Sequence, residues 1–126
     1  MTRRRAFTAL VRNEKILMVH VVREEEDEDY WTLPGGGVKN GEVEAEAARR
    51  ELFEETGVRI EELIELFEED GETCFFATCS EKQAHSAGQS LPADEPWIRE
   101  VRWFDLSAVR TDEQVSKVLN YIRISN

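Results

Sequence analysis

Three glutamates in one short stretch have the spacing needed to bind a divalent metal ion. Glu51, Glu54 and Glu55 stand at positions i, i+3 and i+4 of a helix-forming segment. In a helix this spacing places their carboxylates side by side on one face. Carboxylate oxygens are the ligands that hard cations such as Mg²⁺ and Mn²⁺ prefer. The stretch therefore predicts a metal site, which could neutralise charge and activate water.

The position of these glutamates within the helix argues for a function. They lie in its last turns, just before Gly57, where the helix dipole is negative and each acid costs about 0.3–1 kcal/mol. A bound cation would remove this conflict. The alternative is a solvated helix face on which Arg50 pairs with Glu54, four residues later. Taken alone, the helical string favours the solvated face.

A longer pattern surrounds the glutamates and changes that balance. It reads G-x5-E-x7-R-E-U-x-E-E-x-G-U, where U is a bulky aliphatic residue. All nine fixed positions are matched without a gap by Gly36, Glu42, Arg50, Glu51, Leu52, Glu54, Glu55, Gly57 and Val58. This pattern resembles the signature of the Nudix hydrolases. The segments 31–36 and 101–106 are also similar to sequences of that family.

The resemblance implies a fold and an activity. The expected fold class is α/β (α+β), with a Nudix-like α/β/α sandwich in which two main helices flank a mixed central sheet. Nudix enzymes cleave a nucleoside diphosphate linked to another group X by attack of water at phosphorus. The implied cofactor is Mg²⁺, with Mn²⁺ as a substitute.

The same resemblance implies roles for individual residues. Glu51, Glu54 and Glu55 are expected to bind metal and to take part in catalysis. A further metal ligand is expected from the loop before the last strand, where Glu95 and Glu100 are the favoured candidates. The identity of the general base stays open among these carboxylates.

Other residues are expected to support the metal ligands or to contact the substrate. Arg50 is expected to orient a metal-binding glutamate, and Glu42 to tie the glycine-rich loop to the helix, since loosely held ligands bind metal poorly. The alternatives are a surface ion pair for Arg50 and a favourable acid at the helix N-terminus for Glu42. The expected substrate contacts are Gly35, Gly36, Gly37 and Arg23.

The sequence favours a nucleoside triphosphate as substrate, including oxidised or otherwise non-standard ones. The proline expected of ADP-ribose hydrolases is absent after the box, and so is the tyrosine of dinucleoside polyphosphate hydrolases. ADP-ribose or another nucleotide sugar remains an alternative. A second alternative is a Nudix-fold module that binds a nucleotide without cleaving it, although the three intact carboxylates favour an enzyme.

Hydrophobic periodicity and turn residues predict the elements that must position this site. Strands are expected over 5–12, 16–22, 30–33, 61–68, 73–78 and 97–104, and helices over 43–56 and, after a capping box formed by Thr111 and Gln114, through Ile122. The acidic run 24–29 and the polar stretch 81–96 are expected to be loops. The glycines at 35–37 are expected to form a tight turn that passes close to a ligand.

Composition limits the partners. The chain has 126 residues and a net charge of −11, which predicts one domain over residues 1–126 and argues against nucleic acid and anionic membranes as partners. A small nucleotide is the expected ligand. Cys74 and Cys79 are expected to be free thiols, and the apolar run after the first arginines is too short for export, so we expect a cytoplasmic protein. A homodimer is left open.

Overall fold

The computed structural model of the protein describes residues 3–124, so the four remaining positions of the expected domain lie outside the described residues. The strands are β1 (Arg5–Arg12), β2 (Lys15–Arg23), β3 (Glu28–Thr32), β4 (Gly35–Gly37), β5 (Ile64–Glu69), β6 (Glu72–Ala77) and β7 (Ile98–Asp105). The α-helices are α1 (Glu44–Thr56), α2 (Glu81–Ser86), α3 (Leu106–Val109) and α4 (Glu113–Ile124). A 3₁₀ turn covers Glu24–Glu26.

The sheet is mixed, as predicted, because β1 pairs in parallel with β6 whereas the other strand pairs among the described residues are antiparallel. β1 and β2 pair only next to the turn, where Val11 lies opposite Ile16 and Arg12 opposite Lys15. Beyond that point β1 pairs with β6 in parallel and with β4 antiparallel. β2 instead pairs antiparallel with β3 and β7. The two halves of the sheet therefore meet at this hairpin.

The two long helices cover opposite faces of the sheet. On one face, Leu52 of α1 is fully buried in a cluster with Leu10 and Leu17. On the other, Val115 and Val118 of α4 are fully buried in a different cluster, which includes residues of β1 and β2. This arrangement confirms the predicted α/β/α sandwich. Among residues 3–124, the helices are all too short or too polar to cross a membrane.

The glycine segment differs from its prediction. Gly35–Gly37 form the short strand β4 rather than a tight turn, and they pair with residues 5–7 of β1. Positive φ angles occur instead at other glycines, including Gly41 and Gly57. The turn prediction was wrong because glycine composition does not reveal that a neighbouring strand supplies a hydrogen-bonding partner.

Three further elements correct the predicted loops and caps. β3 begins at Glu28, inside the acidic run, because Glu28 pairs with Arg23 of β2 at the edge of the sheet. The polar stretch contains α2, which Ser80 caps by accepting a hydrogen bond from the backbone N–H of Gln83 at 3.1 Å. The cap of α4 is Asp112, which accepts from the N–H of Val115 at 3.1 Å, and not Thr111.

Candidate metal centre

Helix α1 carries the glutamates, and residues close in sequence fix where the helix begins and ends. The backbone N–H of Val43 donates to the carboxylate of Glu46 at 3.0 Å, which satisfies a group left free at the start of the helix. Gly57 ends the helix in the left-handed conformation, with φ of 82°. Between these ends, α1 carries Glu51, Glu54 and Glu55 in its last two turns.

The carboxylates of three glutamates converge at one point. One oxygen each from Glu51, Glu55 and Glu95 lie within 4.8 Å of one another. Glu55 is only 6% exposed. One carboxylate oxygen of Glu95, Oε2, is buried and has no hydrogen-bond partner among the described residues. A buried carboxylate oxygen without a donor is costly, so this arrangement fits a divalent cation that all three residues would hold.

Burial and mutual repulsion perturb the proton affinity of this cluster. Burial, with the nearby charge of Glu51, raises the pKa of Glu55 to about 9. The pKa of Glu95 is raised by burial and by the charges of Glu51 and Glu54. Metal binding would reverse both effects, because a divalent cation favours the ionised carboxylates.

Arg50 connects the carboxylates to the glycine strand. Its Nε and Nη2 donate to the two carboxylate oxygens of Glu42, at 2.8 and 3.0 Å. Its Nη1 donates to Glu51 at 2.8 Å and to Glu54 at 2.9 Å. Its Nη2 also donates to the carbonyl of Gly37 at 3.0 Å. The guanidinium therefore fixes the side chain of Glu51 relative to β4.

Glu42 anchors the segment between β4 and α1. The hydrogen bonds from Arg50 are the main reason that the pKa of Glu42 is lowered to about 2. The same carboxylate accepts from the backbone N–H of Lys39 at 2.9 Å. Glu42 thus joins the chain after β4 to the helix through Arg50, and it lies outside the group of converging oxygens found in the described part of the chain.

The glycine strand touches two of the three converging carboxylates. The backbone N–H of Gly35 donates to Glu55 at 3.0 Å. A Cβ atom at Gly36 would lie 2.7 Å from the carboxylate carbon of Glu51, closer than any side chain tolerates. An alanine at position 36 would therefore push the carboxylate of Glu51 away from its present position.

Three residues predicted for the site are placed differently, and their roles stay predictions. Glu54 bonds to Arg50 and lies outside the group of converging oxygens. Glu100 also lies outside that group and accepts from Nε of Arg102 at 2.8 Å. The guanidinium of Arg23 lies 5.0 Å from the ring centroid of Trp97, two residues after Glu95.

Gln114 reaches the site region without any signal in the sequence that predicts it. Its side-chain oxygen accepts from the backbone N–H of Leu33 and from the hydroxyl of Thr32, each at 3.0 Å. The predicted capping box assigned this side chain to its own helix. Gln114 is 81 positions from Leu33 and 82 positions from Thr32 along the chain. A contact over such a distance leaves no periodic pattern in the sequence that could predict it.

Comparison with known proteins identifies the same pattern. A sequence profile of the NUDIX domain matches residues 2–122. An RNA pyrophosphohydrolase of Bartonella henselae is 48% identical over 48 residues, which are 38% of this chain and 28% of that protein. A protein of Mycobacterium tuberculosis, provisionally named 8-oxo-dGTP diphosphatase 2, is 44% identical over 55 residues, which are 44% of this chain and 39% of that protein.

A solved structure extends the similarity to the fold. The crystal structure of a MutT NUDIX hydrolase from Burkholderia pseudomallei has a TM-score of 0.64 and 26% sequence identity, and the alignment covers 83% of this chain and 84% of the other. The curated relatives match over less than half of their own length. Their similarity is therefore confined to one part of each protein.

Proposed function

Because the chain belongs to the Nudix hydrolase family, we propose that it is a Mg²⁺-dependent pyrophosphohydrolase that cleaves a nucleoside diphosphate linked to a group X. The substrate that we favour is a nucleoside triphosphate, including oxidised or otherwise non-standard ones, and Mn²⁺ would substitute for Mg²⁺. The observation that carries the proposal is the convergence of Glu51, Glu55 and Glu95 within 4.8 Å.

The residues of the site divide the work of this reaction. When bound, divalent cations would neutralise the diphosphate and lower the pKa of the attacking water. Glu51 and Glu55 would hold the cations, with Arg50 and the N–H of Gly35 fixing their carboxylates. The water oxygen forms a bond to phosphorus, the phosphoric anhydride bond breaks, and the leaving phosphate carries away the electron pair.

Glu95 is the carboxylate that we assign as general base. One of its oxygens would hold the cation with Glu51 and Glu55, and the other would accept the proton of the water; its buried Oε2 has no hydrogen-bond donor among the described residues. In this assignment Glu95 takes the proton while Glu51 and Glu55 remain ionised.

A second substrate class is favoured by one of the relatives. The protein of Bartonella henselae is named an RNA pyrophosphohydrolase. A 5′-triphosphorylated RNA presents the same anhydride bonds as a nucleoside triphosphate, so it is our second candidate even though the net charge of −11 opposes long contacts with RNA. ADP-ribose, other nucleotide sugars and a binding-only role complete the alternatives.

The test is a substrate panel with and without Mg²⁺, applied to the wild type, Glu95→Gln and the matched control Glu100→Gln. We expect the wild type to release pyrophosphate or phosphate only when Mg²⁺ or Mn²⁺ is present. Glu95→Gln should lower kcat by about 10²-fold or more, as loss of a general base does, whereas Glu100→Gln should act like the wild type. The panel contains nucleoside triphosphates, 5′-triphosphorylated RNA, ADP-ribose and dinucleoside polyphosphates.

The possible results separate the parts of the proposal. Full activity of Glu95→Gln would remove Glu95 as the base while leaving the pyrophosphohydrolase in place. Equal and negligible turnover of every compound, with nucleotide binding intact, would instead support the binding-only module.

The cellular setting forms part of the same proposal. The free thiols Cys74 and Cys79 support a reducing compartment, so we place the protein in the cytoplasm. We propose a small nucleotide as the partner. A homodimer is a second proposal, and analytical ultracentrifugation would test it by measuring the mass of the protein in solution.

A further inference from the structure

Helix α4 contacts the segment that leads into the glycine strand. Oε1 of Gln114, in the first turn of α4, accepts two hydrogen bonds at 3.0 Å, from the backbone N–H of Leu33 and from the hydroxyl of Thr32. The contact joins parts of the chain that are more than 80 residues apart. It therefore forms only when α4 is docked on the sheet.

Leu33 lies where the chain changes its strand partner. Thr32 is the last residue of β3 and pairs with Val19 of β2, whereas Gly35 already pairs with Phe7 of β1. Leu33 is only 1% exposed, so water cannot satisfy its N–H. An unpaired buried N–H is costly, and Gln114 supplies the acceptor that the strands do not.

Two residues later, the chain makes direct contact with a metal-binding carboxylate. The N–H of Gly35 donates to Glu55 at 3.0 Å. Between the two contacts, the carbonyl of Pro34 accepts from the N–H of Thr8 at 2.9 Å. Gly35 is also in close contact with the backbone of Ala6, which leaves no room for a side chain. Residues 33–35 therefore form one short segment that Gln114 holds at one end and β1 and Glu55 hold at the other.

We propose that Gln114 is a positioning residue for the metal site, acting on Glu55 through Leu33 and Gly35. The inference rests on the proposed function, which requires a bound metal ion. It assigns to α4, which supplies none of the converging carboxylates, a part in the affinity for the cation. A Gln114 that served only the stability of α4 would leave metal affinity unchanged in the folded protein.

Mn²⁺ titration of the folded protein, followed by electron paramagnetic resonance, separates the two roles without turnover. Gln114→Met keeps the length of the side chain but removes the acceptor, and we expect the Kd for Mn²⁺ to rise by about 10-fold. Gln114→Glu keeps an acceptor oxygen, and its charge is favourable in the first turn of a helix. We expect it to keep the wild-type Kd.

Gln83→Met is the matched control. Gln83 also joins a helix end to another segment, donating from Nε2 to the carbonyl of Arg59 at 2.8 Å. Within residues 3–124 its side-chain hydrogen bonds are to the backbone of Ser80 and Arg59, so its loss should lower the Tm without changing the Kd for Mn²⁺. Gln114→Ala, which also removes the acceptor for the Leu33 N–H but introduces no larger apolar group, is the second variant if Gln114→Met does not fold, and it should raise the Kd by a similar factor.

Several results would overturn the proposal. An unchanged Kd in Gln114→Met, or in Gln114→Ala if that variant stands in for it, would show that Gln114 has no part in metal binding. An equal rise in Gln83→Met would show that general destabilisation explains the effect. If the wild type itself binds no Mn²⁺, the metal site of the proposed function is wrong as well. If the wild type binds Mn²⁺ and Gln114→Met has the same Kd, only the role of Gln114 is wrong.

Discussion

Arg50 shows how one side chain can organise an acidic site. Its guanidinium donates to Glu42, Glu51 and Glu54 and to the carbonyl of Gly37. These contacts, led by the one to Glu42, raise the pKa of Arg50 above its usual value. A lysine has a single charged nitrogen and could not reach all these acceptors in a fixed plane. The residue type is therefore determined by geometry as well as by charge.

Glu55 predicts how the stability of the metal-free protein depends on pH. Its pKa rises from 4.5 to about 9 on folding, so between these values the folded chain holds a proton that the unfolded chain has released. The free energy of unfolding that this group contributes is present below the lower pKa and is lost as the pH rises through the higher one. Without metal, we expect the Tm to fall between about pH 5 and about pH 9.

Calorimetric Tm values in a chelator, for the wild type and Glu55→Gln, would measure this contribution. Glu55→Gln removes the titrating group, so its Tm should fall less over that range and should exceed the wild-type value at the alkaline end. Mg²⁺ should stabilise the wild type more than the variant. Parallel pH profiles for the two proteins would contradict the assignment of the slope to Glu55.

At the scale of elements, strand β4 shows why three glycines stand together. Any other residue at these positions would place its Cβ atom where the structure already has another group. These groups are the backbone of Ala6 at position 35, the carboxylate of Glu51 at position 36 and the guanidinium of Arg3 at position 37. Since all three lie in an extended strand, they are selected for close approach rather than for a turn.

Gly36→Ala tests that close approach. The new methyl group would lie 2.7 Å from Oε1 of Glu51, the same oxygen that accepts a hydrogen bond from Nη1 of Arg50 at 2.8 Å. Glu51 must move, so we expect the Kd for Mn²⁺ to rise by about 10-fold. The measurement is a Mn²⁺ titration combined with the Tm.

Gly41→Ala is the control for backbone strain. Gly41 has a φ of 83° but no atom near its absent Cβ, so alanine there should cost about 1–2 kcal/mol of stability and leave metal affinity unchanged. If Gly36→Ala binds Mn²⁺ with the wild-type Kd, glycine at position 36 is not needed to position the carboxylate of Glu51.

An element could be predicted from the sequence where neighbouring residues alone determine it. The existence of α1 and α4 and of most strands could be predicted from periodicity, caps and turn residues, such as Asp70-Gly71 between β5 and β6. β4 and the start of β3 were missed because glycines and acids have low strand propensity and pair only through a neighbour. α2 could have been found, since Ser80 and Gln83 form a capping box.

At the scale of the whole molecule, the net charge of −11 opposes the approach of an anionic nucleotide. Salt screens such repulsion between separated charges. At saturating Mg²⁺, we therefore expect kcat/KM for a nucleoside triphosphate to rise as NaCl increases from about 10 mM to about 150 mM, over which the screening length shortens toward about 8 Å.

Steady-state kinetics on the wild type would check this expectation. An uncharged inert solute at equal viscosity serves as the control. A steep fall of kcat/KM with salt would contradict it and would indicate a local basic surface that attracts the substrate. We propose that residues 1–126 form one Nudix domain, and the charge of this domain is what the measurement reports.

The sequence by itself determined that α1 carries an acidic face at a fixed distance along the chain from Gly36, because the spacing of Glu51, Glu54 and Glu55 is a local property of one helix and the loop before it. Only the tertiary structure decided that Glu95 joins the converging carboxylates while Glu100 turns to Arg102. The same holds for the contact between Gln114 and Leu33. Such choices depend on strand pairing and on the path of loops, which bring distant residues together without leaving a period in the sequence.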